Sequence, residues 1–343
     1  MKRLLSLLLA VMMVVFVFGC STSSKPAATE PTGNATNSGS EKVESNVKAE
    51  ASVPSGPYVI SGGPAGGNAY TVSACFADVW SRNGCLVDVI PGGGTANAVG
   101  VNSGTYELGW CMESNLMEAI AGTEAFDQKY TDISQIVRLD ENPCIIIVPA
   151  DSDIQTVADL KGKTIATPAA GTSSQVFVKH ILTAAGIDIE NDLTLREGGI
   201  SDGSNLYRDR LVDAIVTTTS YPNAGLTDLT MTINSRFIPL DDETINNLEK
   251  MNAGYSRYTY VDDAYKNMGS GYTTIASAGV ILVKNDMPEE AVYWLTKTIN
   301  ENWDSDVVAS CAWLSSVSPE MRGSSRTPMH PGAERYYKEI GVR

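Results

Sequence analysis

The sequence predicts an α/β fold, with a mixed, mostly parallel sheet flanked by helices. Three observations predict it. From Tyr58 onward short apolar strands alternate with helical stretches. One device, a strand followed by a Gly/Ser/Thr/Asn loop and then a helix, recurs at residues 61–70, 91–98 and 167–175. Ile145-Ile146-Ile147-Val148 is apolar on both faces, as a central strand covered by helices must be. At 343 residues the chain exceeds one ordinary core, so two domains are expected.

Taken in order, Tyr58-Val59-Ile60-Ser61 reads as a buried strand that runs into Gly62-Gly63-Pro64-Ala65-Gly66-Gly67. A helix follows from about Asn68 to Asn83, with Gly84 as its left-handed stop. Leu86–Ile90 is the next strand, and Pro91-Gly92-Gly93-Gly94-Thr95 opens a helix through Ala98. Leu108–Met112 is a third strand, ending at Glu113-Ser114-Asn115. Beyond the central Ile145–Val148 run, Asp159-Leu160-Lys161-Gly162-Lys163 turns into the strand Thr164-Ile165-Ala166. Pro168 to Ser174 then leads into a helix ending near Gly186. Asp213–Thr217 is a strand with Thr218 at its end, and Gly279–Val283 is another. Met287-Pro288-Glu289-Glu290 opens a helix with proline in its first turn.

The N-terminus reads as targeting. Lys2 and Arg3 precede an apolar run from Leu4 to Phe18, which is shorter than the roughly 20 residues that span a bilayer. Val17-Phe18-Gly19-Cys20 resembles a bacterial lipobox, which makes 1–19 a signal peptide and Cys20 the lipidated first residue. One or two acyl chains would anchor the protein at an outward-facing membrane surface. Residues 21–56 lack aromatic residues and cannot bury enough to fold, so 20–56 is expected to be the lipidated cysteine and a disordered tether. Such a tether reaches roughly 30–36 Å.

Forty acidic residues against 25 basic ones give a net charge of −15, which cleavage of Lys2 and Arg3 lowers by two. An acidic chain repels phosphate backbones, so nucleic acid is excluded as a partner. Two histidines in the whole chain argue against a metal site built on imidazole. Beyond Cys20 the five cysteines Cys75, Cys85, Cys111, Cys144 and Cys311 are odd in number and irregular in spacing, without a CxxC. They read as buried thiols, with a Cys75–Cys85 pair left open.

The glycine-rich loops carry the functional reading. Each aims free N–H groups and a positive helix end at one place, at the carboxyl ends of the strands where open α/β sheets bind ligands. Short hydroxyl and amide side chains beside them hold a carboxylate without any catalytic group.

These residues also resemble the TAXI group of substrate-binding proteins of TRAP transporters, from about Tyr58 to Gly341. The marks are Gly62 to Tyr70, Gly93-Gly94-Thr95-Ala96-Asn97, Glu113-Ser114-Asn115, Asp159 to Lys163, Gly171-Thr172, Asp213-Ala214, and His330-Pro331-Gly332-Ala333 with Arg335-Tyr336-Tyr337. The resemblance implies a type II periplasmic-binding-protein fold, two α/β lobes joined by crossing strands and closing over a small solute. Lobe I is expected at 57–150 plus 275–343 and lobe II at 151–274. A two-part, ion-gradient-driven membrane permease would receive the solute, an amino acid, 2-oxo acid or dicarboxylate. No cofactor is implied. The candidate ligand residues are Gly67, Asn68, Tyr70, Thr95, Asn97, Glu113, Ser114, Asn115, Gly171, Thr172, Ser173 and Thr218.

Two departures from the family pattern bear on the ligand. Ser173 stands where an arginine is common after the Gly-Thr pair, and Glu113 replaces a glutamine. Losing a bidentate clamp and adding a carboxylate both disfavour a dianion. A zwitterion fits, with its carboxylate at Gly171–Ser174 and its cation near Glu113. The alternatives are that Glu113 points elsewhere, or that Arg138 or Arg196 supplies the missing charge.

An enzyme would need a nucleophile with a base, a metal set or a cofactor loop. Gly62–Gly67 is not followed by Lys-Ser/Thr, and His180 lies mid-helix among Val178, Lys179, Ile181 and Leu182, as a packed or surface residue. His330 suits a structural role or a permease contact. The pairs Asp140-Glu141, Asp241-Asp242 and Asp262-Asp263 read as solvated charge. The sequence therefore predicts a lipid-anchored extracytoplasmic solute-binding protein. A sensory lipoprotein is the second reading, and a hydrolase or transferase on the same fold is the third.

Overall fold

The computed structural model describes residues 52–343. The signal peptide expected at 1–19, the lipidation expected at Cys20 and most of the expected tether lie outside the described residues. The chain then runs β1 (Tyr58–Ser61), α1 (Asn68–Arg82), β2 (Val87–Ile90), α2 (Gly94–Asn102), β3 (Leu108–Met112), α3 (Glu113–Ala121), β4 (Ile133–Pro149), β5 (Thr164–Pro168) and α4 (Ser173–Ala184). It continues through β6 (Thr194–Gly198), α5 (Ile200–Arg208), β7 (Ala214–Thr218), α6 (Ala224–Thr232), β8 (Ser235–Phe237), α7 (Asp242–Met251), β9 (Ser256–Thr259) and β10 (Thr273–Lys284). Helices α8 (Glu289–Glu301), α9 (Val308–Ser310, one turn), α10 (Pro319–Gly323) and α11 (Pro331–Glu339) close it. Among the described residues no helix is long and apolar enough to cross a membrane.

The strands form a sheet in the order β2-β1-β3-β10-β4-β7-β5-β6. β1 is parallel to β2 and β3, and β5 is parallel to β6 and β7, so each end of the sheet is a parallel α/β unit. The joint between them is antiparallel. The first part of β4 pairs with β10, and its last part, Cys144–Pro149, pairs with β7 and β8. A register shift between Ala278 and Val280 marks the crossing.

β4 is far longer than the four-residue strand expected at Ile145–Val148, because Ile133–Leu139 is also buried and extended. Asp140-Glu141, expected in a solvated stretch, is thus inside a strand. It is tolerated there because Arg138 Nη2 donates to Glu141 Oε1 at 2.6 Å and Asp140 faces Ser220.

Helix ends follow local chemistry. Gly84, the expected stop, has φ +104° after α1, and Gly186, near which the next helix was expected to end, has φ +76° after α4. Thr172 caps α4 by accepting from Gln175 N, and Asp241 caps α7 by accepting from Thr244 N. Pro288 is the residue before α8 and not in its first turn, since its ψ of 133° keeps it extended. The core between α1 and α8 is held by Trp80, whose Nε1 donates to Leu295 O at 2.9 Å. Phe76 meets Trp80 and Trp303 edge-on, with ring centres 5.6 and 6.2 Å away.

All five described cysteines are free and buried. The Cys75 thiol lies beside Cys311 rather than Cys85, so the pairing left open in the sequence is not made. His180 is buried between Tyr255 OH (2.7 Å) and Glu124 (3.2 Å). His330 caps α11 by accepting from Gly332 N, and at 2 % exposure it is no surface contact for a partner.

Candidate functional site

The three strand–loop–helix turns are laced together. Gly62 N donates to Ile90 O at 3.0 Å and Gly92 N to Gly63 O at 3.1 Å, joining the loop before α1 to the loop before α2. The loop before α2 also abuts the loop before α4. A Cβ on Gly93 would stand 2.7 Å from Gly171 O, and one on Gly94 would stand 1.8 Å from Ser173 Oγ. Only glycine permits that approach.

At this contact Ser173 Oγ donates to Asn115 Oδ1 at 3.0 Å and accepts from Met112 N at 3.4 Å. Thr95 Oγ1 donates to the same amide oxygen at 3.4 Å. Thr95, Asn115 and Ser173, predicted from separate segments, therefore meet. Gly171, at φ +78°, and the cap Thr172 shape the start of α4 beside them. The first N–H groups of α1, α2 and α4 have no acceptor within their own helices, and their dipoles present positive ends. An anion holder is what this arrangement offers.

Other predicted residues have different roles. Asn97 is fully buried, and its hydrogen bonds are spent on the fold. Its Nδ2 donates to Ser61 O (3.0 Å), Gly62 O (2.7 Å) and Trp110 O (2.8 Å), and its Oδ1 accepts from Ser61 Oγ (2.7 Å). It clamps β1 to β3 and has no amide atom left for a solute. Glu113 is corrected in the same way. At 0 % exposure it accepts from Arg138 Nε (3.3 Å) and Arg326 N (3.0 Å), so it is no free charge facing a ligand cation. Ser114 is tied to Ser277 through its N–H and its hydroxyl, and its carbonyl accepts from Asn252. Gly67 precedes α1 without a side-chain cap, and Tyr70 is half-buried in the first turn. Asn68 Nδ2 and Thr218 Oγ1 are buried without a partner, and no hydrogen bond joins either to the Asn115 cluster.

Sequence reading missed Glu118, which anchors that cluster from behind. Its carboxylate accepts from Asn115 Nδ2 (3.3 Å) and Asn252 Nδ2 (2.9 Å), and His180 Nδ1 lies 3.6 Å away. It sits one turn after Asn115 on α3, but its other partners come from distant segments and no local motif marks it.

Burial pushes the Glu118 carboxyl up to about 7, against the two amide hydrogen bonds that lower it. A folded-state value above the ordinary 4.5 means the folded protein favours the protonated form. That contribution is complete below about 4.5 and is lost as pH rises through about 7. Urea midpoints of the wild type and Glu118→Gln should therefore converge or cross as pH rises over this window, with the wild type losing ground. Asp140, also raised to about 7 by burial, contributes equally to both proteins. Parallel profiles would refute the assignment.

Residues 60–341 match the model of the NMT1-like family. The chain belongs to the NMT1-like family. With parallel units at either end of a sheet joined through β4 and β10, this NMT1-like protein has the mixed α/β architecture that its strand and helix pattern predicts. Among solved structures it is similar to the substrate-binding protein of an amino acid ABC transporter (14 % identity, 76 % of this chain and 99 % of that one, TM-score 0.44). It is likewise similar to the alkanesulfonate-binding protein of Xanthomonas axonopodis pv. citri (17 % identity, 82 % and 84 %, TM-score 0.42). A third is an ancestral arginine-binding protein (15 % identity, 75 % and 97 %, TM-score 0.42).

Proposed function

We propose that this protein is the extracytoplasmic solute-binding subunit of a TRAP-type transporter. Held at the membrane by lipid on Cys20, it captures a small amino-acid-like or organic-acid solute and hands it to a membrane permease. Residues 57–150 with 275–343 would be one lobe and 151–274 the other, closing on the solute. The observation that carries the reading is the meeting of the α2 and α4 N-termini at Gly93, Gly94, Gly171 and Ser173. Each N-terminus belongs to a different end of the sheet, so a carboxylate bridging them would favour the closed arrangement. No nucleophile, base or cofactor loop is needed for that role, and none is assigned.

The test is a thermal-shift panel of amino acids, 2-oxo acids and dicarboxylates on the full chain. A ligand at 100 times its Kd adds about 2.7 kcal/mol, enough to raise the Tm visibly. Gly93→Ala places a methyl group at the loop contact, and the shift should fall with it by at least tenfold in affinity. A panel in which nothing binds would remove the solute reading. For the partner, uptake that survives ATP depletion and collapses with the ion gradient supports the TRAP assignment, and the reverse pattern refutes it.

A further inference from the structure

We infer that Glu118, Glu124 and His180 form a proton-operated latch between the two parallel ends of the sheet, tightening on acidification and so tying solute capture to the acidity around the protein. The inference rests on the closing of those ends proposed above and adds a control on it.

The cluster spans a seam. Glu118 on α3 and Glu124 just beyond it follow β3, at one end of the sheet. His180 lies on α4, which follows β5 at the other end. Tyr255 belongs with α4, its ring stacked on Phe177 with centres 4.5 Å apart and planes within 10°. Across the seam His180 Nε2 stands 3.2 Å from Glu124 Oε2, and Nδ1 stands 3.6 Å from Glu118 Oε1. Asn252 Nδ2, just beyond α7, crosses it as well, donating to Glu118 Oε1 at 2.9 Å and Ser114 O at 3.0 Å. The solute site is tied to the same carboxylate. Glu118 Oε2 holds Asn115 Nδ2 at 3.3 Å, which leaves Asn115 Oδ1 turned to Ser173 and Thr95.

A count of hydrogens makes these contacts depend on a proton. A neutral imidazole carries one N–H, and a carboxylate can only accept. Glu124 therefore fixes that hydrogen on Nε2, and Nδ1 takes the Tyr255 O–H at 2.7 Å with its lone pair. Glu118 Oε1 then faces a lone pair across 3.6 Å, and two carboxylates grip one uncharged ring. One added proton, on Glu118 or on Nδ1, removes that mismatch. Its route is open, because Glu118, Glu124, His180 and Asn252 line one cavity of about 200 Å³ and the Glu124 side chain is 49 % exposed.

No other neighbour supplies the missing charge. Burial holds the Tyr255 phenol and the Cys111 thiol of β3 in their protonated forms. Glu113, on the same helix, is turned to Arg138, and the Arg326 guanidinium donates to Ala253 O at 2.8 Å. With the seam shut, burial keeps the Glu118 carboxyl at about 7, and with the seam open and the carboxyl wet it returns toward the ordinary 4.5. Closing thus takes up a proton. Its advantage is complete below about 4.5 and is lost as pH rises through about 7. His180 trims the effect, since burial lowers its value despite Glu124 and closing favours its neutral form.

The experiment needs no solute. Spin labels at Gln128→Cys and Asn247→Cys, exposed positions on the two sides of the seam, report opening by pulsed electron resonance. The full chain is used with Cys20→Ser, the other five cysteines being buried. The ratio of short to long distances should rise roughly threefold from pH 8 to pH 6. Glu118→Gln should flatten that response, while Asp140 acts equally in both proteins. If Glu118→Gln does not fold, Glu124→Gln should move the response to lower pH, because the Glu124 charge helps hold the proton on Glu118. A ratio that ignores pH, or a response unchanged in both variants, would overturn the latch and leave closure standing. A single distance at every pH, with and without the tightest ligand of the panel, would remove closure and the latch together.

Discussion

Asn97→Asp should cost roughly 4 kcal/mol or more at neutral pH, the largest loss expected from any single-atom-scale change in this chain. The substitution keeps the volume and replaces an NH₂ donor by an oxygen. Three carbonyls, Ser61 O, Gly62 O and Trp110 O, then lose their donor and face a carboxylate at 2.7–3.0 Å in a fully buried site. Each orphaned buried acceptor costs about 1–3 kcal/mol, and carboxylate–carbonyl repulsion adds to this. Burial among acceptors raises the new carboxyl's pKa, so the loss grows as pH rises above the ordinary aspartate value of about 3.9 and shrinks toward it, where one O–H donor returns. Urea unfolding at two pH values measures it, the midpoint moving while the slope holds. A loss under 1 kcal/mol would return Asn97 to the candidate solute ligands.

That prediction also shows what the sequence could and could not disclose. The three turns were legible because their signals are local. Gly92-Gly93-Gly94 and Gly171-Thr172-Ser173 each encode a tight approach and a helix start within a few residues, and Gly84 and Gly186 stop their helices for the same local reason. Asn97 and Glu113 stood in the right turns and were assigned the wrong partners. The acceptors that occupy Asn97 lie 13 to 36 residues away, and the N–H that occupies Glu113 comes from 213 residues downstream. A polar residue at a strand end looks the same in sequence whether it faces a solute or its own fold. Only the packing decides.

Asp140-Glu141 failed differently. Two adjacent acids among polar neighbours read as a turn, yet β4 carries them across the joint between the two parallel units. The information that kept them in a strand was the apolar run on each side, Ile133–Leu139 and Cys144–Val148. Read together, those runs describe one long crossing strand with a charged middle. A charge placed at such a joint sits where β4 passes from its pairing with β10 to its pairing with β7.

Arg138→Met should be the second most damaging substitution, at about 3–5 kcal/mol. The methionine fills much of the space but leaves Glu113, at 0 % exposure, with only the Arg326 N–H, and Glu141 with no cation at all. Removing one partner of a buried ion pair strands the other charge, and the stranded charge is what costs. The triple replacement Arg138→Met, Glu113→Gln and Glu141→Gln should recover most of that loss, because neither carboxylate that the arginine served remains to be solvated. Urea unfolding of the single and triple variants separates the two terms. If the triple variant were no more stable than Arg138→Met, packing around the guanidinium rather than charge would account for the site. If Arg138→Met itself cost under 1 kcal/mol, Glu113 and Glu141 would have other compensation, and the shared guanidinium would not be what holds them in place.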